Sequence, residues 1–364
     1  MSAVFAFGCG AGGRFGLQGK DLGGAVDYQI STPVALPFAK DVSVSSIASS
    51  SNHTLFLLEN GTVLSAGCND VFQLGRKTPS DFDWQPAPIE SLKNVQVAQI
   101  SCGERHNLAL SADGCAYSWG NNDAGQLGLE HHVDANGPGV INLSEVVQIS
   151  CGGFHSAALC ADGRLFVWGC NSNGQLGVGL EPSSDRPRLV QSLSGVPLCR
   201  ICCGALFTCA LSVSGAVFTW GANSHGQLGS GDNKDKLYPV QVKTLRYQNV
   251  IDIACGDGHT VVLTALGRVF SFGLGSHGEL GHGNRESDSV PKQVTELMGS
   301  LVVRIACGRF HTLAVVGGRV YAFGLGANGQ LGSGCLLSSE CCPLCSSCLA
   351  LRQSLLEEIN RSLD

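Results

Sequence analysis

Asn171-Ser172-Asn173-Gly174-Gln175-Leu176-Gly177 is one copy of a pattern, Asn-x-x-Gly-Gln-Leu-Gly, that returns about every fifty residues along the chain. Other copies close at Gly128, at Gly229 and, with Glu279 in place of glutamine, at Gly281. A nearly clean copy ends at Gly332, and weaker ones end at Gly75 and Gly16. The intervals between closing glycines all lie between 49 and 59 residues, so the molecule is a single unit copied along its length.

Three further series keep the same register. Cys102-Gly103 precedes His106, and the same arrangement leads to His155, His259 and His311; Phe207 replaces the histidine in one copy, and Ser49-Ser50 replaces Cys-Gly ahead of His53. An aromatic-glycine pair recurs as Phe7-Gly8, Trp119-Gly120, Trp168-Gly169, Trp220-Gly221, Phe272-Gly273 and Phe323-Gly324, with Ala66-Gly67 as the degenerate copy. Proline recurs at 33, 86, 138, 187, 239 and 291.

Within a unit, short apolar runs alternate with tight-turn dipeptides, which predicts a small antiparallel sheet. Residues 146–150, 156–160 and 164–168 read as three strands of one unit. Asn60-Gly61, Asp113-Gly114, Asp162-Gly163, Ser214-Gly215 and Gly317-Gly318 supply the hairpin turns, since such pairs accept the positive φ of primed turns. The Gly-Gln-Leu-Gly corner reverses the chain, and the proline segment supplies an outer strand, where a missing amide is tolerable. Four short strands per unit, repeated radially, predict an all-β fold: a seven-bladed β-propeller of four-stranded antiparallel blades. Seven corners but only six preceding strand pairs predict an incomplete last blade. The boundary expected from this reading puts the propeller at 1–334 and a divergent tail at 335–364, disordered or carrying a short amphipathic helix over 354–363.

The three linked motifs resemble the repeat of the regulator of chromosome condensation superfamily, whose members fold as seven-bladed propellers. Within it, 296–311 and 321–332 look most like the propeller of the small HERC ubiquitin ligases. That resemblance implies a non-catalytic protein-recognition module, followed in the family by a catalytic HECT domain that this chain lacks. It also implies that the far end of the domain completes the last blade against the amino-terminal strand.

Composition restricts the alternatives. Only 14% of residues are charged and the formal charge is −6, with no basic run, so a nucleic-acid surface is not expected. Neither a signal peptide nor a stretch long enough to span a membrane is apparent, so reduced thiols and a cytoplasmic site, with the nucleus as an addition, are expected for the 18 cysteines. A monomer without cofactor is expected.

The repeated residues have bland readings. His53, His106, His155, His259 and His311 could be pictured as channel-lining metal ligands, but Phe207 breaks the ring, and a structural, backbone-bonding role is the better expectation. Gly128, Gly177, Gly229, Gly281 and Gly332 mark tight corners and no phosphate loop, because neither Lys-Ser nor Lys-Thr follows. Trp119, Trp168 and Trp220 share one strand position and read as core. His131-His132 with Asp134 reads as an exposed loop. Cys342-x-x-Cys345-x-x-Cys348 is one short cluster, whereas a structural zinc site pairs two separated knuckles. No unique nucleophile-base set is present, so no catalytic residue is assigned.

Partner contact is expected in loops that depart from the repeat. Trp84 with Asp83, and the charged cluster Lys234, Asp235 and Lys236, are the candidates. The expected partner is a ubiquitin-pathway substrate. The alternatives are a small GTPase of the Ran, Rab or Arf type, with this chain as exchange factor, and a standalone scaffold or inhibitor role. The 49 residues between Gly128 and Gly177 leave no length for an exchange wedge there, so only 17–32 and 76–88 offer room.

Overall fold

The computed structural model describes residues 4–15, 29–36, 38, 42–334 and 339–345. The unit read from the sequence forms as a meander: Val146–Cys151, His155–Cys160, Leu165–Gly169 and Ser184–Leu189 pair antiparallel in that order. Asp162-Gly163 makes the turn between the second and third strands, with Gly163 at φ +82°. Pro187 lies in the outer strand, where only one edge needs amides. Each inner strand carries a bulge after its first residue, as between Val146 and Gln148, which adds local twist.

Six four-stranded sheets follow this plan, at 44–88, 97–140, 146–189, 198–241, 250–293 and 302–345. A two-stranded sheet of Phe5–Cys9 and Gln29–Ala35 accompanies them. Seven four-stranded blades with a short last one were expected, and this is corrected in two respects. Six blades have four strands among the described residues, and the sheet that ends the series is complete because Ser339–Cys345, beyond residue 334, pairs with Arg319–Leu325. The short sheet is the amino-terminal one, Phe5–Cys9 paired with Gln29–Ala35. The corner at Gly16, the tail cysteine cluster and the expected helix over 354–363 fall on residues or side chains outside that description.

The core lies between blades. Each apolar cluster is shared by two neighbours: Leu159, Val167 and Leu176 of one blade meet Ile201, Ala210 and Trp220 of the next. Burying an aromatic ring of about 200 Å² at ~25 cal/mol per Å² contributes ~5 kcal/mol, so the fully buried Trp119, Trp168 and Trp220 dominate the packing. The first strands of consecutive blades touch one another around the centre.

The corners determine how blades stack. A Cβ added at Gly128 would sit 2.7 Å from the Trp168 indole nitrogen, and Gly75, Gly177, Gly229 and Gly281 face Trp119, Trp220, Phe272 and Phe323 in the same way. Gly332 likewise faces Phe7, and Gly13 abuts the backbone of Trp84, so the two-stranded sheet lies between the blade 302–345 and the blade 44–88.

The blades 250–293 and 302–345 depart from the others at their corners, which begin with Gly275 and Gly326. Elsewhere the asparagine side chain clamps the following loop: Asn171 donates to the carbonyls of Gly179 and Glu181 and accepts from Leu176 N–H. In the blade 250–293, any Cβ at Gly275 would run into the Glu286 carbonyl. Gly275→Asn, which the repeat pattern would recommend, is therefore expected to destabilise by about 1–3 kcal/mol, since the obstacle is backbone. A urea midpoint equal to that of the wild type would show that the 282–287 loop moves aside.

Candidate functional site

The repeated polar residues form a latch between blades. His155 Nε2 meets Thr208 Oγ1 of the next blade at 2.8 Å, and that hydroxyl donates to the Gln175 carbonyl at the first blade's own corner. Trp220 Nε1 donates to the same carbonyl at 2.9 Å. His106 with Ser156, His259 with Thr312 and His53 with Asn107 repeat the contact. Because each hydroxyl hydrogen goes to a corner carbonyl, the imidazole Nε2–H is the donor and Nδ1 carries no proton. The backbone-bonding histidine expected from the sequence is thus replaced by one that reaches a side chain of the neighbouring blade. His311 has no such hydroxyl among the described residues, because the two-stranded sheet lacks the strand that carries it. Phe207 fills the histidine position by packing alone, in the cluster with Leu228 and Phe272.

Burial lowers these imidazoles to about 4 at His53 and His311 and about 3 at His106, His155 and His259. Nδ1 of His106, His155 and His259 has no hydrogen-bond partner, so a second proton would be left without an acceptor. Burial also pushes the thiols of Cys102 and Cys151 up. Neutral locked histidines and protonated thiols are poor groups for acid–base or nucleophilic chemistry. Among the described residues no three His, Cys, Asp or Glu side chains cluster as a metal site. Asp134 instead accepts from Asn122 N–H and Asn121, and His131 Nδ1 accepts from Val133 N–H.

The loop residues named as partner contacts have unequal freedom. Trp84 is 38% exposed and tilts against Phe82 with ring centroids 5.7 Å apart. Asp83 is paired with Arg76 at 2.8 Å, and Arg76 also donates to Ser65 and to the Gln85 carbonyl, which pins the loop after the corner at Gly75. Asp235 accepts from Asn223 N–H and from Asn173 of the preceding blade. Lys236 pairs with Asp232 at 2.7 Å, while Lys234 projects into solvent. Trp84 and Lys234 are therefore the members of this set available for contact.

Around the centre, ion pairs cross from blade to blade: Arg200 with Asp252 at 3.0 Å, Arg309 with Asp257 at 2.6 Å, and Arg105 with Asp70. Arg309 also lies over Phe310, whose ring meets His277. Gln99 and Gln148 span the two gaps between these, joining the blades 97–140, 146–189 and 198–241 by bonding the backbone of Ile149 and Ile201. These contacts join neighbouring blades.

A family model described as the RCC1-like domain matches residues 3–345. The chain belongs to the RCC1-like domain family. This RCC1-like domain is 47% identical to human "Probable E3 ubiquitin-protein ligase HERC3", an alignment that covers 86% of the chain and 30% of the ligase. It is 35% identical to the "Ultraviolet-B receptor UVR8" of Arabidopsis thaliana, covering 83% of the chain and 70% of the receptor. Among solved structures it is similar to Prp20p of Saccharomyces cerevisiae, with 25% identity, a TM-score of 0.83 and coverage of 95% of this chain and 86% of that one. The chain spans about 30% of the length of the HERC3 and HERC4 ligases it matches, and that share is the RCC1-like domain.

Proposed function

We propose that this RCC1-like domain is a non-catalytic protein-recognition module, equivalent in role to the propeller carried by HERC-type ubiquitin ligases. The supporting observation is the 47% identity to HERC3, which falls on the propeller and leaves most of the ligase unmatched. The two-stranded sheet stands in this reading as the outer half of a seventh blade, supported by the way Gly332 faces Phe7 as each earlier corner faces the next aromatic. The free thiols favour a reducing compartment, and we place the protein in the cytoplasm.

The test is a chimera in which this chain replaces the matching segment of HERC3. The chimera is expected to retain ubiquitin thioester formation while its set of ubiquitylated proteins changes, and the isolated chain is expected to form no thioester. An unchanged substrate set, or a thioester on the isolated chain, would overturn the reading.

A second reading, contact with or nucleotide exchange on a small GTPase, draws on the likeness to Prp20p, whose report describes binding to Gsp1p and histones. The Arg76 clamp weighs against a free wedge after the corner at Gly75. Release of a fluorescent GDP from Ran, Rab and Arf proteins would distinguish exchange from simple capture.

A further inference from the structure

The face that carries the hairpin turns has one apolar departure from its otherwise polar pattern. In the blades 44–88, 97–140 and 146–189 the turns present Asn60, Asp113 and Asp162, and Gln96 and Glu145 precede the second and third inner strands. In the later blades two of the corresponding positions carry a large apolar residue: Leu266 stands where the turns had Asn or Asp, and Leu301 stands where Gln96 and Glu145 did, while Ser214, Asn249 and Gly317 keep small or polar residues at others. Leu266 is 69% and Leu301 64% exposed.

These residues are neighbours. The turn at Gly267 packs on Leu301 and Val302, and Ala265 N–H donates to the Asn249 carbonyl, beside Ile251 on the adjacent inner strand. Tyr247, 87% exposed, and Met298 rise from the connections that lead into the inner strands. Leu266 and Leu301 thus meet at the junction of the blades 250–293 and 302–345, and Ile251, Tyr247 and Met298 are exposed on the strand and connections leading to it.

Its border is basic. Lys243, Arg246 and Arg268 are exposed, and no carboxylate pairs with them among the described residues. Arg246 lies over the Tyr247 ring, 5.7 Å from its centroid. Glu296 is the acidic residue on the neighbouring connection, and Asp252 is already neutralised by Arg200. Tyr, Met and Arg around an apolar centre are the residue types enriched in protein interfaces.

We infer that this sector binds a polypeptide segment that combines acidic and large apolar side chains, the apolar ones seated on Leu266 and Leu301 and the carboxylates on Lys243, Arg246 and Arg268. The inference deepens the recognition reading proposed above and rests on it. Charge complementarity selects the partner: unpaired cations attract acids and repel basic segments.

The test pans the purified chain against phage-displayed random peptides and measures selected peptides by fluorescence anisotropy. The comparison protein is Leu266→Asp with Leu301→Gln, whose new residues are those the blade 97–140 carries as Asp113 and Gln96, so the fold has precedent for both. Selected peptides are expected to be rich in Asp or Glu with Leu or Phe, to bind the double variant about tenfold more weakly, and to lose affinity with salt and in Arg246→Glu. If the double variant unfolds, Tyr247→Asn, on an exposed loop, carries the same expectation. Peptides that bind all variants as well as wild type would remove this sector while leaving the recognition reading intact. Binders without acidic residues, or none, would overturn the inference. So would co-sedimentation with phosphatidylserine-containing vesicles that the double variant alone loses, because the occupant would then be a membrane.

Discussion

Gly177→Val is expected to lose about 3–5 kcal/mol of stability, enough to leave much of the chain unfolded at physiological temperature. Gly177 sits at φ +68°, a conformation that costs an L-residue ~1–2 kcal/mol and a β-branched one more. Its added Cβ would also lie 2.7 Å from Trp220 Nε1 and 2.9 Å from Cδ1. That indole is fully buried and donates to the Gln175 carbonyl, so displacing it breaks the bond and opens the apolar cluster shared by two blades. Overpacking of this kind adds ~1–3 kcal/mol. Chemical denaturation followed by tryptophan fluorescence reads the loss directly. A midpoint within error of wild type would mean that the corner rearranges without disturbing Trp220.

Mild acid is expected to destabilise the protein steeply. The five latch-position histidines are held neutral, with folded values of about 3 to 4, against about 6.5 in an unfolded chain. Their folded values are depressed, so the unfolded state binds more protons below pH 6.5. The stability associated with neutral imidazoles is thus complete above that value. It falls as pH drops toward 4 and reaches its full loss near pH 3. At pH 5 each histidine costs on the order of 2 kcal/mol relative to pH 7, and the contributions accumulate around the ring. Glu279, Asp252 and Asp257 oppose the trend, because burial raises their values and protonation relieves them.

Unfolding free energies measured by urea at pH 7, 6 and 5 give the proton uptake. His155→Phe, copying the natural Phe207, is expected to reduce that uptake by about one proton while costing less than the cavity of an alanine. A stability unchanged from pH 7 to 5, or an identical slope in His155→Phe, would show that the imidazoles are not neutral in the fold.

Much of this was legible in the chain itself. The spacing of Gly75, Gly128, Gly177, Gly229, Gly281 and Gly332 placed the corners that these residues close, and turn pairs such as Asp162-Gly163 located the hairpins, because both depend on local φ preferences. The placing of Trp119, Trp168 and Trp220 in the core also followed from their shared strand position. The candidate contacts were harder to read. Asp83 and Lys236 resemble free surface charges in sequence, yet Arg76 and Asp232 occupy them. Leu266 was overlooked, although aligning it with Asp113 and Asp162 shows an apolar residue where a turn ordinarily carries a polar one.

The repeat by itself determined the blade, its strand order, its turns and its buried face, because these arise within about fifty residues through backbone preference and period-two patterning. Only the tertiary structure decided which sheet is short, and that His155 reaches Thr208 of the next blade. It alone brought Leu266 beside Leu301. Those facts depend on how one blade is set against its neighbour, and that register is established by the fit of Gly177 against Trp220 and its counterparts.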